Sequence, residues 1–232
     1  PSKLVLTRKL ITKAKTKKGE FVELEFIGYH EGKAFDSNIP EELKKINPNS
    51  EAPEKIIIII GQGMVVPGFD KALEDKELNK DYEIHVPYRE GFGERRRELV
   101  KTIPLHIFTE KKIGPRPGQT FIFDNALARI ITVSGARVVT DFNNPLAGKD
   151  LDYKFKIIRI ISDEKEKTES LFKFYFKTIP NYEIQNDKVI VKGPKEMESV
   201  IDLFKEKFKE IMHKNLEFKE EEKKEKIPES PQ

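Results

Sequence analysis

Five consecutive isoleucines, Ile56 to Ile60, run straight into Gly61-Gln62-Gly63-Met64-Val65-Val66-Pro67-Gly68-Phe69-Asp70, and no other stretch limits the fold as strongly. β-Branched side chains are stiff about χ1 and favour extended backbone, so the run specifies a strand in the core of a sheet. We expect it to be a central strand, with Tyr82 to Val86 paired beside it. Two glycines then break the strand. Pro67 stands where a helix begins, the position at which its fixed φ and missing N–H cost least. Strand, Gly-x-Gly and helix are also how a dinucleotide-binding unit starts, with phosphate on the N–H groups of the helix start. That fingerprint needs a third glycine where this chain has Val66, and only a short helix separates the strand from Tyr82, so no βαβ unit follows. The two valines, Pro67-Gly68 and Phe69 instead present apolar side chains at a turn.

Composition narrows the function classes. The 232 residues are enough for one or two domains with a sizeable core. Charged residues make up 36% of the chain, against a norm of about 25%, yet they balance to a net charge of only +3. That balance leaves no basic footprint for nucleic acid. No apolar run approaches the roughly 20 residues that span a membrane. With no cysteine, disulfides, thiolate catalysis and cysteine-bound zinc are excluded. His30, His85, His106 and His213 are dispersed without ligand spacing, so neither metal nor cofactor is expected. The absence of an apolar leader with a small-residue cleavage signal predicts a cytoplasmic protein.

Along the chain the apolar pattern divides into three units. An alternating stretch occupies Lys3 to Lys18, and Phe21 to Tyr29 reads as a strand that Glu31-Gly32 turns back toward Ala34-Phe35-Asp36. Asn38 to Pro53 reads as a polar surface loop with one helical turn at Glu41 to Ile46. After Gly91-Phe92-Gly93 and Arg95-Arg96-Arg97, about 50 residues of short apolar segments (Thr120 to Phe123, Ala128 to Val133, Ala136 to Thr140) predict a small β-rich unit with a hairpin at Gly135. Leu151 to Ile158 alternates again; if it returns to the first sheet, the β-rich unit is an insertion. Beyond Ser162, Leu171, Phe172, Tyr175 and Phe176 fall at helical spacing. A hairpin follows at Asn186-Asp187, then a helix whose stripe is Met197, Val200, Ile201, Phe204, Phe208, Ile211 and Met212. This αββα unit (163–217) is too small to bury much alone, so it should dock on the main domain or on a second copy. Residues 218–232 read as a disordered charged tail.

Several separated segments together resemble the FKBP family of peptidyl-prolyl cis-trans isomerases, in its long SlyD-like branch. They are Tyr29 with Gly32-Lys33-Ala34-Phe35-Asp36-Ser37, Gly61-Gln62-Gly63 through Pro67-Gly68-Phe69, Gly91-Phe92-Gly93, and Asn144-Pro145-Leu146-Ala147-Gly148-Lys149 leading to Tyr153. The resemblance covers most of residues 1–162 and implies an α+β fold: an antiparallel half-barrel (1–97 plus 145–162) around a short helix, with an inserted flap domain (98–144). It does not reach the C-terminal unit.

What the resemblance implies about the site is a proline pocket of Tyr29, Phe35, Asp36, Val65, Val66, Phe69, Phe92 and Tyr153, with Ile56 at its edge and Leu146 nearby. Phe69 would form the floor, where many relatives have tryptophan, and the Val66 N–H would donate to a substrate carbonyl. Phe92 stands where relatives have a tyrosine that donates a second bond. Asp36 would orient the site electrostatically, through the Tyr29 hydroxyl. In the flap, Ile103, Phe108, Phe121 and Phe123 would hold unfolded, proline-containing chains.

Each reading has a plainer competitor. Aromatics on alternating strands are core residues by default, Asp36 before Ser37-Asn38 suits a turn cap, and the plain reading of the flap residues is that unit's own small core. Arg95-Arg96-Arg97 is first a solvated run. Three classes of function follow: an isomerase with holdase activity, a holdase or binding module with little turnover, and a scaffold in which the C-terminal unit makes a homodimer.

Overall fold

The computed structural model describes residues 15–50, 55–123 and 126–221. The alternating stretch expected from Lys3 lies mostly outside these residues. At its described end Lys15 bridges to Glu77, and the buried Thr16 hydroxyl donates to the Leu73 carbonyl at 2.5 Å.

The first sheet starts with β1 (Phe21–His30), in which Val22, Leu24 and Phe26 face inward while Glu23 and Glu25 alternate with them. Glu31 and Gly32 both have positive φ, 49° and 73°, which gives the twist a two-residue hairpin needs, and β2 (Lys33–Ser37) returns beside β1. Helix α1 (Pro40–Ile46) follows, with Pro40 at its start, acids in the first turn and lysines in the last. Then come β3 (Ile56–Ile59), α2 (Pro67–Ala72) and β4 (Asp81–Val86).

A second sheet interrupts the first. It comprises β5 (Val100–Pro104), α3 (Leu105–Glu110), β6 (Thr120–Phe123), β7 (Ala126–Ser134) and β8 (Arg137–Asp141), in the order β5-β8-β7-β6, with the expected hairpin at Gly135. Its small core is Phe108, Ile130 and Val138. β9 (Leu151–Ile160) then returns to the first sheet between β1 and β4. The two crossings are stapled together. Arg95 donates twice to the Asp141 carboxylate, at 3.0 and 2.6 Å, and the Asn143 amide bonds both the N–H and the carbonyl of Arg96. The arginine run therefore has an internal partner.

The expectation for the isoleucine strand needs correction. β3 is not central: it occupies one end of β1's edge, pairing Phe21–Leu24, while β2 occupies the other end. β4 pairs with β9 and not with β3. The run is nevertheless apolar throughout because two cores meet on it. Ile58 and Ile60 join Val22, Leu24, Phe26 and Phe69 inside the half-barrel, whereas Ile59, with Ile57 beside it, joins a core shared with the C-terminal unit.

That unit begins with α4 (Glu164–Phe176), capped by Asp163, whose carboxylate accepts from the Glu166 N–H at 2.8 Å. β10 (Asn181–Ile184), β11 (Lys188–Gly193), α5 (Glu198–Met212) and β12 (Asn215–Glu220) follow. β11 is central, antiparallel to β10 and parallel to β12, with α5 as the crossover that a parallel pair requires. The unit is thus αββαβ, and the predicted tail boundary is wrong: 218–220 belong to β12, where Leu216 is buried and Phe218 packs on the same core. Residues 222–232 lie outside the described residues. On α5, Ile201 and Phe208 are buried, while Val200, assigned to the core stripe, is exposed.

Candidate active site

The glycine turn does hold an anion, and the anion is the chain's own. Gly61 and Gly63 sit at φ +80° and +67°, and their N–H groups donate to the two oxygens of Asp70, at 2.8 and 2.9 Å. The buried Asp70 carboxylate therefore pins α2 against the turn that precedes it. The Ile59 N–H points to the Met64 sulfur at 3.2 Å. Between these anchors Val65 and Val66 are presented at the start of α2. The Val66 carbonyl accepts from Asp70 in the first helical turn, while its N–H has no acceptor among the described residues.

Val65 and Val66 face a cleft of about 1220 Å³. Of the residues singled out from the sequence, Asp36, Ile56, Val65, Val66, Phe69, Phe92 and Tyr153 line it. The fully buried Phe69 is stacked on Tyr153 with ring centroids 4.5 Å apart and an interplanar angle of 17°. Phe26 and Phe155 meet Phe69 edge-on at 5.8 and 5.2 Å. Phe92, 37% exposed, lies among the lining residues without a polar atom on its ring.

Tyr29, Phe35 and Leu146 are not among the lining residues. Phe35 meets Tyr153 edge-on at 5.9 Å, and its ring tip covers Gly28 so closely that a Cβ there would sit 2.5 Å away. The Lys154 ammonium lies over the Tyr29 ring at 5.8 Å, and Leu146 packs on the half-barrel core. The Asp36 charge acts on the Tyr153 hydroxyl. Burial, and after it Asp36, push the Tyr153 pKa up. Burial likewise raises the Asp36 carboxyl above its ordinary value, a rise partly offset by the Ser37 N–H.

The loop after Asp36 is more ordered than a polar surface loop. Asn38 is buried, accepts from the Phe26 N–H at 2.8 Å and donates to the Leu24 carbonyl at 2.6 Å. Its side-chain amide substitutes for a strand peptide in the gap that β2 and β3 leave along β1. Sequence reasoning also missed Phe26, Ile58 and Met64, and it missed a wall of the cleft formed by α4.

In the second sheet Phe108 is 0% exposed, so it is a core residue and not a surface that holds clients. Ile103 and Phe121 pack partly on that core, and Phe123 lies beneath the Lys111 ammonium at 4.2 Å. The exposed apolar pair is Ile122 and Leu127, at 72% and 49%, directly opposite one another in the β6–β7 ladder. Among the described residues no group of three or more His, Asp or Glu side chains is placed to hold a metal, and no helix is long and apolar enough to cross a membrane.

A short-type peptidyl-prolyl cis-trans isomerase of Methanocaldococcus jannaschii is 32% identical over 152 residues, which is 65% of this chain and 97% of that protein. The family model for FKBP-type peptidyl-prolyl cis-trans isomerases matches residues 12–124. The chain belongs to the FKBP-type peptidyl-prolyl cis-trans isomerases. FKBP-type isomerases named SlyD are also similar: that of Haemophilus influenzae is 30% identical over 117 residues, and that of Escherichia coli K12 is 27% identical over 112. Each of these two matches covers 47% of this chain, and 60% and 55% of the respective relative, so the chain spans little more than half of those proteins. About a third of the chain lies outside the M. jannaschii match.

Proposed function

We propose that this FKBP-type isomerase turns over X-Pro bonds of unfolded or partly folded polypeptides in the cleft above Phe69, and that the exposed β6–β7 hairpin retains such chains near it. The observation that carries the reading is the Val66 N–H, without an acceptor among the described residues, beside the stacked Phe69–Tyr153 floor. The chemistry needs no nucleophile and moves no proton. Rotation about the amide faces a barrier of about 18–20 kcal/mol because resonance keeps it planar, and the uncatalysed X-Pro flip takes tens to hundreds of seconds. Twisting breaks that resonance, so the transition state is less charge-separated than either planar isomer. An aromatic cleft therefore suits the twisted form better than the planar ones. An acceleration of about 10⁵ requires roughly 7 kcal/mol. Desolvation, a carbonyl held by Val66 and a proline ring gripped over Phe69 share it.

A second reading has its own observation. Phe92 supplies no donor, so a chain that holds clients through Ile122 and Leu127 with little turnover is the alternative. We place either activity in the cytoplasm. A protease-coupled assay on an X-Pro tetrapeptide separates the two readings. We expect cis-to-trans conversion well above the thermal rate; a rate equal to the thermal one removes the isomerase reading and leaves the holdase.

A further inference from the structure

We propose that α4 of the C-terminal unit is a second wall of the substrate cleft, carrying a subsite that selects an acidic stretch of polypeptide flanking the bound proline. The inference rests on the proline-cleft reading above.

The helix has two working faces. Thr168, Leu171, Phe172, Tyr175 and Phe176 turn to the unit's own core or lie beside it. Glu166, Glu169, Ser170, Lys173, Phe174 and Lys177 line the cleft, at spacings of three and four that make one continuous stripe. The stripe spans eleven residue steps, or roughly 16 Å, which matches about five residues of extended chain. At about 1220 Å³ the cleft also exceeds the range of about 300–1,000 Å³ usual for small ligands.

This wall is fixed in place. Arg159 on β9 donates to Glu23 of β1 at 2.7 Å and also grips both carboxylate oxygens of Glu166. Phe21 and Ile59 of the first sheet, and Ile161 just past β9, share one core with Leu171 and Phe172 of α4. The helix is therefore part of the cleft's architecture and not a tethered neighbour.

Its charges are unevenly satisfied. Glu166 is neutralised by Arg159, and Glu169 pairs with Lys165 at 3.9 Å and accepts from the Tyr182 hydroxyl at 2.9 Å. Lys173 and Lys177 are exposed and pair with no carboxylate among the described residues; the Lys177 ammonium lies 5.3 Å from the Phe174 ring centre. Lys55, just before β3, lines the same cleft. Phe174, Met64 and Ile57 are the apolar residues that line the cleft on this side, and the Phe174 ring sits beside the Lys177 ammonium. A chain lying here gains most from an apolar residue near the proline and an acidic one beyond it.

The test uses full-length protein and proline peptides that differ only two to four positions from proline, bearing Glu, Gln or Lys on either side. Both kcat/KM and the Kd of a fluorescently labelled peptide are read. Wild type should favour the Glu peptide over the Lys peptide by ~fivefold or more at low salt, the scale of one or two exposed ion pairs. The preference should shrink at high salt. The double charge reversal K173E/K177E should invert the ratio of the Glu to the Lys peptide, and Phe174→Ala should weaken every peptide that reaches its ring. Equal Glu and Lys peptides in wild type, or a preference that survives the charge reversal, overturns the subsite. Absence of turnover with all peptides sinks the isomerase reading instead, and the Kd series still decides the subsite.

Discussion

Asp36 is the carboxylate beside the aromatic floor, and its position works against stability. Burial raises its pKa in the folded chain, so between the ordinary aspartate value and the raised one the folded state binds more protons than the unfolded state. Stability contributed at this residue is therefore present at low pH and lost as pH rises through that window. At neutral pH Asp36→Asn should raise Tm, and the difference should vanish in acid below the ordinary aspartate value. Turnover should fall by roughly ten- to a hundredfold, the scale of a lost contact to a charged group. Thermal scans from pH 3 to 8 beside the peptide assay check both; a variant that is less stable at neutral pH would refute the assignment. Other residues of the site differ in how readily the sequence discloses them. Val65, Val66 and Phe69 follow from local signals, glycines and a proline that fix a turn and a helix start. Tyr29 is not among the lining residues: β1 bulges between Gly28 and Tyr29, and a bulge re-aims the side chains beyond it without disturbing the apolar pattern.

At the scale of elements, strands that are apolar at every position conceal which face is buried. Phe121, Ile122 and Phe123 are consecutive, so alternation alone does not choose between them; pairing with β7, whose Ala128 and Ile130 are buried, decides it. Phe121 turns to the small core and Ile122 turns out to meet Leu127. An exposed cross-strand apolar pair at a hairpin is suited to extended clients. Ile122→Ser/Leu127→Ser should leave tetrapeptide turnover within about twofold, since surface changes away from the cleft shift free energies by ~0.5 kcal/mol or less. Proline-limited refolding of a whole protein should slow severalfold, because tethering no longer raises the local substrate concentration. Unchanged refolding would remove the hairpin from the mechanism. The second face of α4 was hidden differently: a stripe of Glu, Lys and Ser with one Phe looks like an ordinary solvated face until the first sheet is placed against it.

The whole molecule is held together across its sequence divisions. Phe21, Ile59 and Ile161 are buried in a core completed by Leu171, Phe172, Val189 and Phe208. Ending the chain at Ser162 uncovers those three side chains, at about 1.5–3 kcal/mol for each that becomes fully exposed. The truncated chain should melt well below full length and bind a hydrophobic dye; an unchanged Tm would show that the C-terminal unit contributes nothing to the first sheet. Light scattering on the same two samples reads assembly. A homodimer through the C-terminal unit, where Leu203 is 80% exposed on α5, predicts the doubled mass for full length and the single one for the truncation; equal single masses exclude it.

The sequence by itself determined the strand, the glycine turn and the helix that carry Val66 and Phe69, and the family. These rest on local conformational preference and on residue types at fixed spacing. Only the tertiary structure decided that Leu151–Ile160 returns to the first sheet, making the second sheet an insertion, that β3 lies at the edge of β1, that Asn38 completes that edge, and that α4 walls the cleft. Five identical isoleucines carry no information about which side faces which core. That choice was made by packing between segments more than a hundred residues apart.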